Sequence, residues 1–171
     1  MVAGPVKSET TCLLMLSRAL GRLAILSDLD ALSRVVAEAL LRVGAVSAVE
    51  VVLFVTCRPH SPAELTLHAD GAQRPLFPAP RNNPIIDAIL ESGEVLLTSL
   101  SDAGVESDTG ITHVLASPMA APSEPETPPG APLGAVLLGF AGAPDLSSSC
   151  RYAIDILVRC AADRVYAILT E

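Results

Sequence analysis

Two groupings of side chains in this sequence have the residue types that bind metals or break bonds. Cys57, His60 and His68 offer thiolate and imidazole, the ligands zinc takes, with two residues between the first pair. A tetrahedral site needs a fourth ligand at workable spacing; the sequence offers none, and no metal is expected. His113, Ser117 and Asp87 have the types of a nucleophilic triad. There is no Gly-x-Ser-x-Gly elbow, however, and Ser117 precedes Pro118 inside a strand-like run. A histidine in such a run reads as a packed residue rather than a general base, so no catalytic residue is assigned and no enzyme is expected. Gly130, Gly134, Gly139 and Gly142 do not form the Gly-x-x-x-x-Gly-Lys phosphate loop; they bracket a strand and permit tight turns or close packing.

The four cysteines, Cys12, Cys57, Cys150 and Cys160, include no Cys-x-x-Cys pair and sit in apolar stretches where buried thiols are common. A reduced, cytoplasmic setting is the expectation. Eleven Lys and Arg stand against 19 Asp and Glu, for a net charge of −8 with no basic block, which argues against nucleic acid and anionic membrane as partners. With no Trp, two Tyr and three Phe, base stacking on single strands lacks its usual platforms. The apolar run from Cys12 to Leu26 is interrupted by Arg18 and Arg22 and is shorter than the roughly 20 residues a bilayer requires. At 171 residues, half of them hydrophobic, the chain suits one ordinary domain.

Periodicity supplies the elements. Residues 1–10 read as a loose arm. Helical spacing runs from Thr11 to Leu26 and again from Leu29 to Val43, with Ser27 and Asp28 as an N-cap signal and Gly44 as the stop. Val46 to Thr56 is rich in β-branched residues and carries Glu50 as its single charge, which predicts a central strand. Glu64 to Ala69 alternates and forms the second arm of a hairpin. Asn83 caps a short helix with Pro84 at its first position, Ile85, Ile86, Ile89 and Leu90 as its buried stripe, and Gly93 as its stop. Val95 to Thr98 is a short strand, and residues 99–110 are a polar loop or a marginal helix. Thr112–Met119 and Leu133–Phe140 are strands joined by a Pro-rich, mobile segment, 120–131.

The last helix is expected from an Asp145 cap to about Leu169. Arg151, Asp155, Arg159 and Asp163 recur every four residues with alternating charge, which defines one solvated stripe. Almost everything else on the helix is apolar, so two flanks must be buried: one on the sheet, the other on a partner helix. The first helix has the same excess. A homodimer paired through the terminal helices follows as the expectation, with Leu16, Leu20, Leu23, Leu157, Val158, Val165 and Ile168 as its interface.

With those residues in place, the chain resembles a GAF domain over most of residues 11–170, read as a single domain. The resemblance is carried by Leu29–Thr56, the Asn83–Gly93 helix with its following strand, His113–Met119, and above all Pro132-Leu133-Gly134-Ala135-Val136-Leu137-Leu138-Gly139-Phe140 before a capped terminal helix. PAS and IclR-effector folds give a similar trace. The resemblance implies an α+β fold: an antiparallel sheet of about five to six strands with the N- and C-terminal helices on one face and a cavity on the other. It places Asn82, Asn83, Thr98, Ser99, His113 and Ser117 on the elements around that cavity, where they would orient a small ligand; as caps and turn residues they have an equally good local explanation.

The departures are informative. No cysteine precedes a histidine, as a bilin-binding cysteine commonly does, and the Asn-Lys-Phe-Asp-Glu signature of cyclic-nucleotide-binding relatives is absent, Lys7 being the only lysine. The methionine-sulfoxide-reductase branch needs reactive cysteines in loops, whereas Cys12, Cys150 and Cys160 fall in predicted helices. No cofactor is expected. Two readings remain. One is a signalling domain that binds a small molecule or dimerises through its terminal helices; the other is a protein–protein interaction module whose cavity is filled by side chains. No kinase, cyclase, HD or helix-turn-helix segment follows Glu171, as expected for a piece of a larger protein or for a domain that acts by binding something else.

Overall fold

The computed structural model describes residues 9–43, 46–54, 63–71, 76, 83–107, 109–122 and 132–171. Residues 1–8 of the expected arm, the Gly44 stop, Cys57, His60, Asn82 and the 123–131 part of the expected mobile loop lie outside them. Nine elements follow in order: α1 (Glu9–Leu23), α2 (Leu29–Leu41), β1 (Val46–Leu53), β2 (Ala63–His68), α3 (Pro84–Ser92), β3 (Leu96–Ser99), β4 (His113–Ala120), β5 (Pro132–Phe140) and α4 (Ser148–Thr170). The five strands form one antiparallel sheet in the order β2-β1-β5-β4-β3. No described helix is long and apolar enough to cross a membrane.

β1 is a central strand because its valines are dry on both faces, all but Ser47 being buried. Val49, Val51 and Leu53 point to the helical side with Val136, Leu138 and Phe140 of β5. Ala48 and Val52 point to the other side with Ala135 and Leu137. A register shift between Val46 and Ala48 places an extra residue opposite β5, so Val46 joins the helical side although simple alternation assigns it to the other.

On the helical side α2 and α4 lie against the sheet, and α1 packs over both as a further layer. α2 starts where Asp28 accepts hydrogen bonds from the backbone N–H groups of Asp30 and Ala31. α1 begins at Glu9, two residues before the Thr11 start expected from spacing, and ends at Leu23 rather than Leu26. Beyond Leu23 the backbone tightens into i→i−3 bonds at Ile25 and Leu26, and the Arg164 guanidinium of α4 donates to the Leu26 carbonyl at 2.7 Å. The N-cap of α4 is Ser147, not Asp145: the Ser147 Oγ accepts from the Cys150 N–H at 3.1 Å, and Asp145 lies too far upstream to reach those first-turn donors. Within the charged stripe, Arg159 meets Asp155 at 3.2 Å, and Arg151 and Asp163 are exposed.

On the opposite side lies α3. Asn83 accepts from the Ile85 N–H at 2.9 Å, Pro84 opens the helix, and Gly93 closes it with φ of 70°, a left-handed turn that favours glycine. Ile85, Ile86 and Ile89 are buried beneath it, and Leu90 is half-buried.

Close approach at one glycine supports the β5 register. A Cβ on Gly134 would be driven into the carbonyl oxygen of Val52, whereas one on Gly142 would meet nothing within 4 Å. Gly134→Ala is expected to lower unfolding free energy by about 3 kcal/mol in urea titrations, and Gly142→Ala to stay within about 1 kcal/mol of the parent. Equal stabilities for the two variants would refute the register.

Candidate functional site

Because opposed residues in an antiparallel pair share a face, the registers sort polar side chains between the two sides of the sheet. The α3 side receives Glu50 of β1, with Thr66 and His68 of β2 opposite Glu50 and Ala48, and Thr98 of β3 opposite Val114. Glu50 is 1% exposed and accepts from the Thr66 hydroxyl at 3.4 Å. His68 is also buried. A carboxylate and an imidazole inside an apolar layer cost burial free energy, which makes this the polar side of the fold's interior.

The segment 100–112 walls this side. It leaves β3 and returns to β4 with its ends tied, Leu100 N–H to the Thr112 carbonyl at 2.8 Å, as in an Ω-loop. Of the two expectations for this segment, a polar loop or a marginal helix, the structure has the loop, with turns closed by the N–H groups of Ala103, Gly104 and Val105. Ser107 donates to the Leu76 carbonyl at 3.1 Å and pairs with the Thr109 hydroxyl at 2.7 Å. Leu100, Val105 and Ile111 face the α3-side core, and they, with Ser101, Gly104, Glu106, Ser107 and Thr112, line an open hollow of about 800 Å³. That is within the range of small-molecule pockets, and its wall is mixed: an apolar floor with hydroxyls and one carboxylate at the rim.

Of the six residues expected around a cavity, the five that are described do not share one face of the sheet. Asn82 lies outside the described residues. Thr98 is on the α3 side, where its hydroxyl donates to the Ser99 carbonyl at 3.1 Å. Ser99, His113 and Ser117 are on the helical side, because their partners Phe140 and Val136 face that way. They face the other way from Thr98, and the cause is parity: one residue along a strand reverses the face. Ser99 instead accepts from the Asp102 N–H at 3.1 Å as a turn residue, and the Nδ1 of His113 lies 2.9 Å from the Thr112 hydroxyl. The same parity separates His113 and Ser117 from Asp87, which α3 carries on the other side.

Asn83 is 3% exposed, and while its Oδ1 caps α3, its Nδ2 finds no hydrogen-bond partner among the described residues. Among those residues no group of three or more His, Cys, Asp and Glu converges as metal ligands. Sequence reasoning missed the hollow's wall, since residues 99–110 were legible only as a loop. It noted Glu50 and His68 without placing them on one face; alternation was the available signal.

The expected dimer residues divide as well. Leu23, Leu157, Val158 and Val165 are at most 3% exposed and belong to the protomer's own core, so they have no surface to give a second copy. Leu16, Leu20 and Ile168 are partly buried at its margin. The apolar residues that do reach solvent on these helices are Leu13 and Leu14 of α1 and Tyr152 and Tyr166 of α4. Between the helices runs a groove of about 420 Å³ lined by Leu20, Leu23, Ala24, Cys160, Asp163, Arg164 and Ala167. The other flank of α1 is charged, with Arg22 at 3.9 Å from Glu38 of α2.

No family model matches the sequence, and no curated protein matches it. Solved structures match its shape. The GAF domain of an Acinetobacter phosphoenolpyruvate-protein phosphotransferase superposes with a TM-score of 0.63 at 11% identity, covering 92% of each chain. A GAF sensor protein from Burkholderia vietnamiensis gives 0.58 at 12% identity over 95% of this chain and 92% of that one. The free methionine-R-sulfoxide reductase of Neisseria meningitidis, solved with its substrate, gives 0.65 at 12% identity over 99% of this chain and 96% of that one. The chain therefore has a GAF-like α+β fold.

The stranded amide can be checked by stability. Asn83→Ala removes the cap and is expected to cost about 1 kcal/mol in urea unfolding, whereas Asn83→Ser keeps a capping oxygen, discards the amide and is expected to cost less than about half of that. An equal loss in the two variants would mean that the Asn83 amide has a partner.

Proposed function

We propose that this domain binds a small molecule in the hollow on the α3 side and works as a non-enzymatic sensory module. The observation that carries the reading is the hollow itself: about 800 Å³ open beside the core, with Leu100, Val105 and Ile111 as floor and Ser101, Glu106, Ser107 and Thr112 as polar groups. The ligand class that fits has an apolar body and hydrogen-bonding groups able to meet hydroxyls and a carboxylate. Ligand and fold would be coupled because the wall is one tied loop: Ser107 reaches Leu76, and Leu100 reaches Thr112. Filling the hollow would order that loop and change the α3-side packing.

The neighbours lend support of different kinds. Two are GAF domains or GAF sensor proteins, while the Neisseria protein is an enzyme with a bound substrate. The non-enzymatic reading rests on this chain's own residues: the three described cysteines sit in α1 and α4, on the far side of the sheet from the hollow. A cytoplasmic setting belongs to the same reading and rests on the cysteine pattern.

A second reading, an interaction module that pairs with a second copy, is favoured by the apolar groove between α1 and α4 and by exposed Leu13, Leu14, Tyr152 and Tyr166. Charged and apolar flanks on α1 give the surface a direction: pairing would use the α4 side.

Native mass spectrometry beside the denatured mass tests the first reading. The expected outcome is extra mass that leaves on denaturation and is reduced in a folded Thr112→Trp variant, whose indole would occupy part of the hollow. Extra mass retained equally by that variant would place the ligand elsewhere. Light scattering at micromolar concentration tests the second: a dimer that Leu13→Asp converts to monomer is expected, and a monomeric parent protein would remove it.

A further inference from the structure

The thiols of Cys12 and Cys150 lie 138 residues apart in sequence, and their Sγ atoms are 3.0 Å apart. That is closer than the roughly 3.5–4.0 Å at which carbon atoms pack, so the two sulfurs are in direct contact rather than merely in one apolar region. Both are buried, Cys12 at 1% and Cys150 at 8% exposure. Cys12 is in the second turn of α1, and Cys150 in the first turn of α4, where its N–H is held by the Ser147 cap. The two helices run side by side in the same direction from this point, since Leu20 and Ala24 farther along α1 meet Cys160, Arg164 and Ala167 farther along α4.

We infer that Cys12 and Cys150 are a site of reversible covalent modification, an intramolecular disulfide formed by exchange with a low-molecular-weight disulfide and joining α1 to α4. Closing the contact to an S–S bond of about 2.05 Å requires the sulfurs to approach by about 1 Å, a small rearrangement for two side chains near helix starts. The exchange balances as follows. Cys150, the more exposed of the two, attacks one sulfur of the small disulfide as thiolate, and the displaced small thiolate takes up the proton that Cys150 gave. Cys12 then attacks the Cys150 sulfur of the mixed disulfide, and a second small thiol leaves. Two protein thiols are oxidised to one disulfide, and one small disulfide is reduced to two thiols.

The position of α1 gives the oxidant its route and the bond its consequence. α1 is held by α2 and α4 and forms the outer layer, so opening its first turns exposes both sulfurs without disturbing the sheet. Once formed, the bond closes a loop of 138 residues and fastens the outermost helix to the long one that lies on the sheet. Cys160 cannot substitute. It is ten residues along α4 from Cys150, about 15 Å by helical rise, and faces Leu20, Leu23 and Ala24 instead. The inference is independent of the ligand reading, because the pair lies on the opposite side of the sheet from the hollow.

The test uses the whole chain, purified reduced and incubated under native conditions with oxidised glutathione, then alkylated, digested and mapped without reduction. A peptide containing Cys12 joined to one containing Cys150 is expected in the parent protein and in Cys160→Ser, lost in Cys12→Ser and Cys150→Ser, and reversed by dithiothreitol. The oxidised protein is expected to melt about 5–15 °C above the reduced one, because so long a loop is closed. Parent and Cys160→Ser proteins in which Cys12 and Cys150 are recovered alkylated, capped by glutathione, or linked to Cys57 or Cys160 would overturn the inference, whether or not the serine variants fold.

Discussion

The structure depends on the dryness of β1 on both faces. A strand of valines with no face to give to water must be covered twice, and each cover has its own requirement. On one side α2 lays its apolar stripe on Val49, Val51 and Leu53 of β1, and α4 covers the neighbouring strands β4 and β5. On the other, α3 and the 100–112 loop cover Ala48 and Val52 with Ile85, Ile89, Leu100 and Ile111. Regular helices make the first cover continuous. A nine-residue helix and a loop make the second, which is why the hollow opens beside the loop and not beneath the long helices.

That asymmetry also distributes polarity. Among the described residues, Ser33 and Ser117 are the buried polar residues of the helical side, while Glu50, His68 and Asn83 are buried on the α3 side. Glu50 at the centre of the sheet is held by the Thr66 hydroxyl across the β1–β2 pair. A carboxylate there is costly unless its neighbours supply donors, so its place on the α3 side of β1 is a constraint on what that side of the core can contain.

The outer helix answers the question posed by the two-sided apolar character of the terminal helices. Most of the surplus is spent inside the protomer: α1 adds a third layer over α2 and α4, and Leu23, Leu157 and Val165 disappear into it. What is left is a narrower feature, an apolar groove on one flank of α1 and an Arg22–Glu38 pair on the other. The Arg164 bond to the Leu26 carbonyl and the Cys12–Cys150 contact fasten the two ends of this layer.

Much of what depends on neighbours along the chain was legible in the residues, although the α4 cap was expected at Asp145 and is Ser147. Helix α3 could be read whole, from the Asn83 cap to the Gly93 stop, because capping and left-handed closure involve residues a few positions apart. The strands and their order along the chain followed from β-branching and alternation, and the GAF-like architecture from their succession. The faces were not legible, because a side chain's face depends on absolute register. A bulge such as the one at Val46–Ala48 resets it within a strand. For Ser99, His113 and Ser117 the face was decided only by strand pairing, whose partners Phe140 and Val136 lie on the helical side. Nor could spacing show that Leu23, Leu157, Val158 and Val165 would be buried by their own chain, since a burial stripe looks the same whichever chain covers it. The meeting of Cys12 with Cys150 was beyond reach for the same reason: only packing brings together residues 138 apart, and no local periodicity records it.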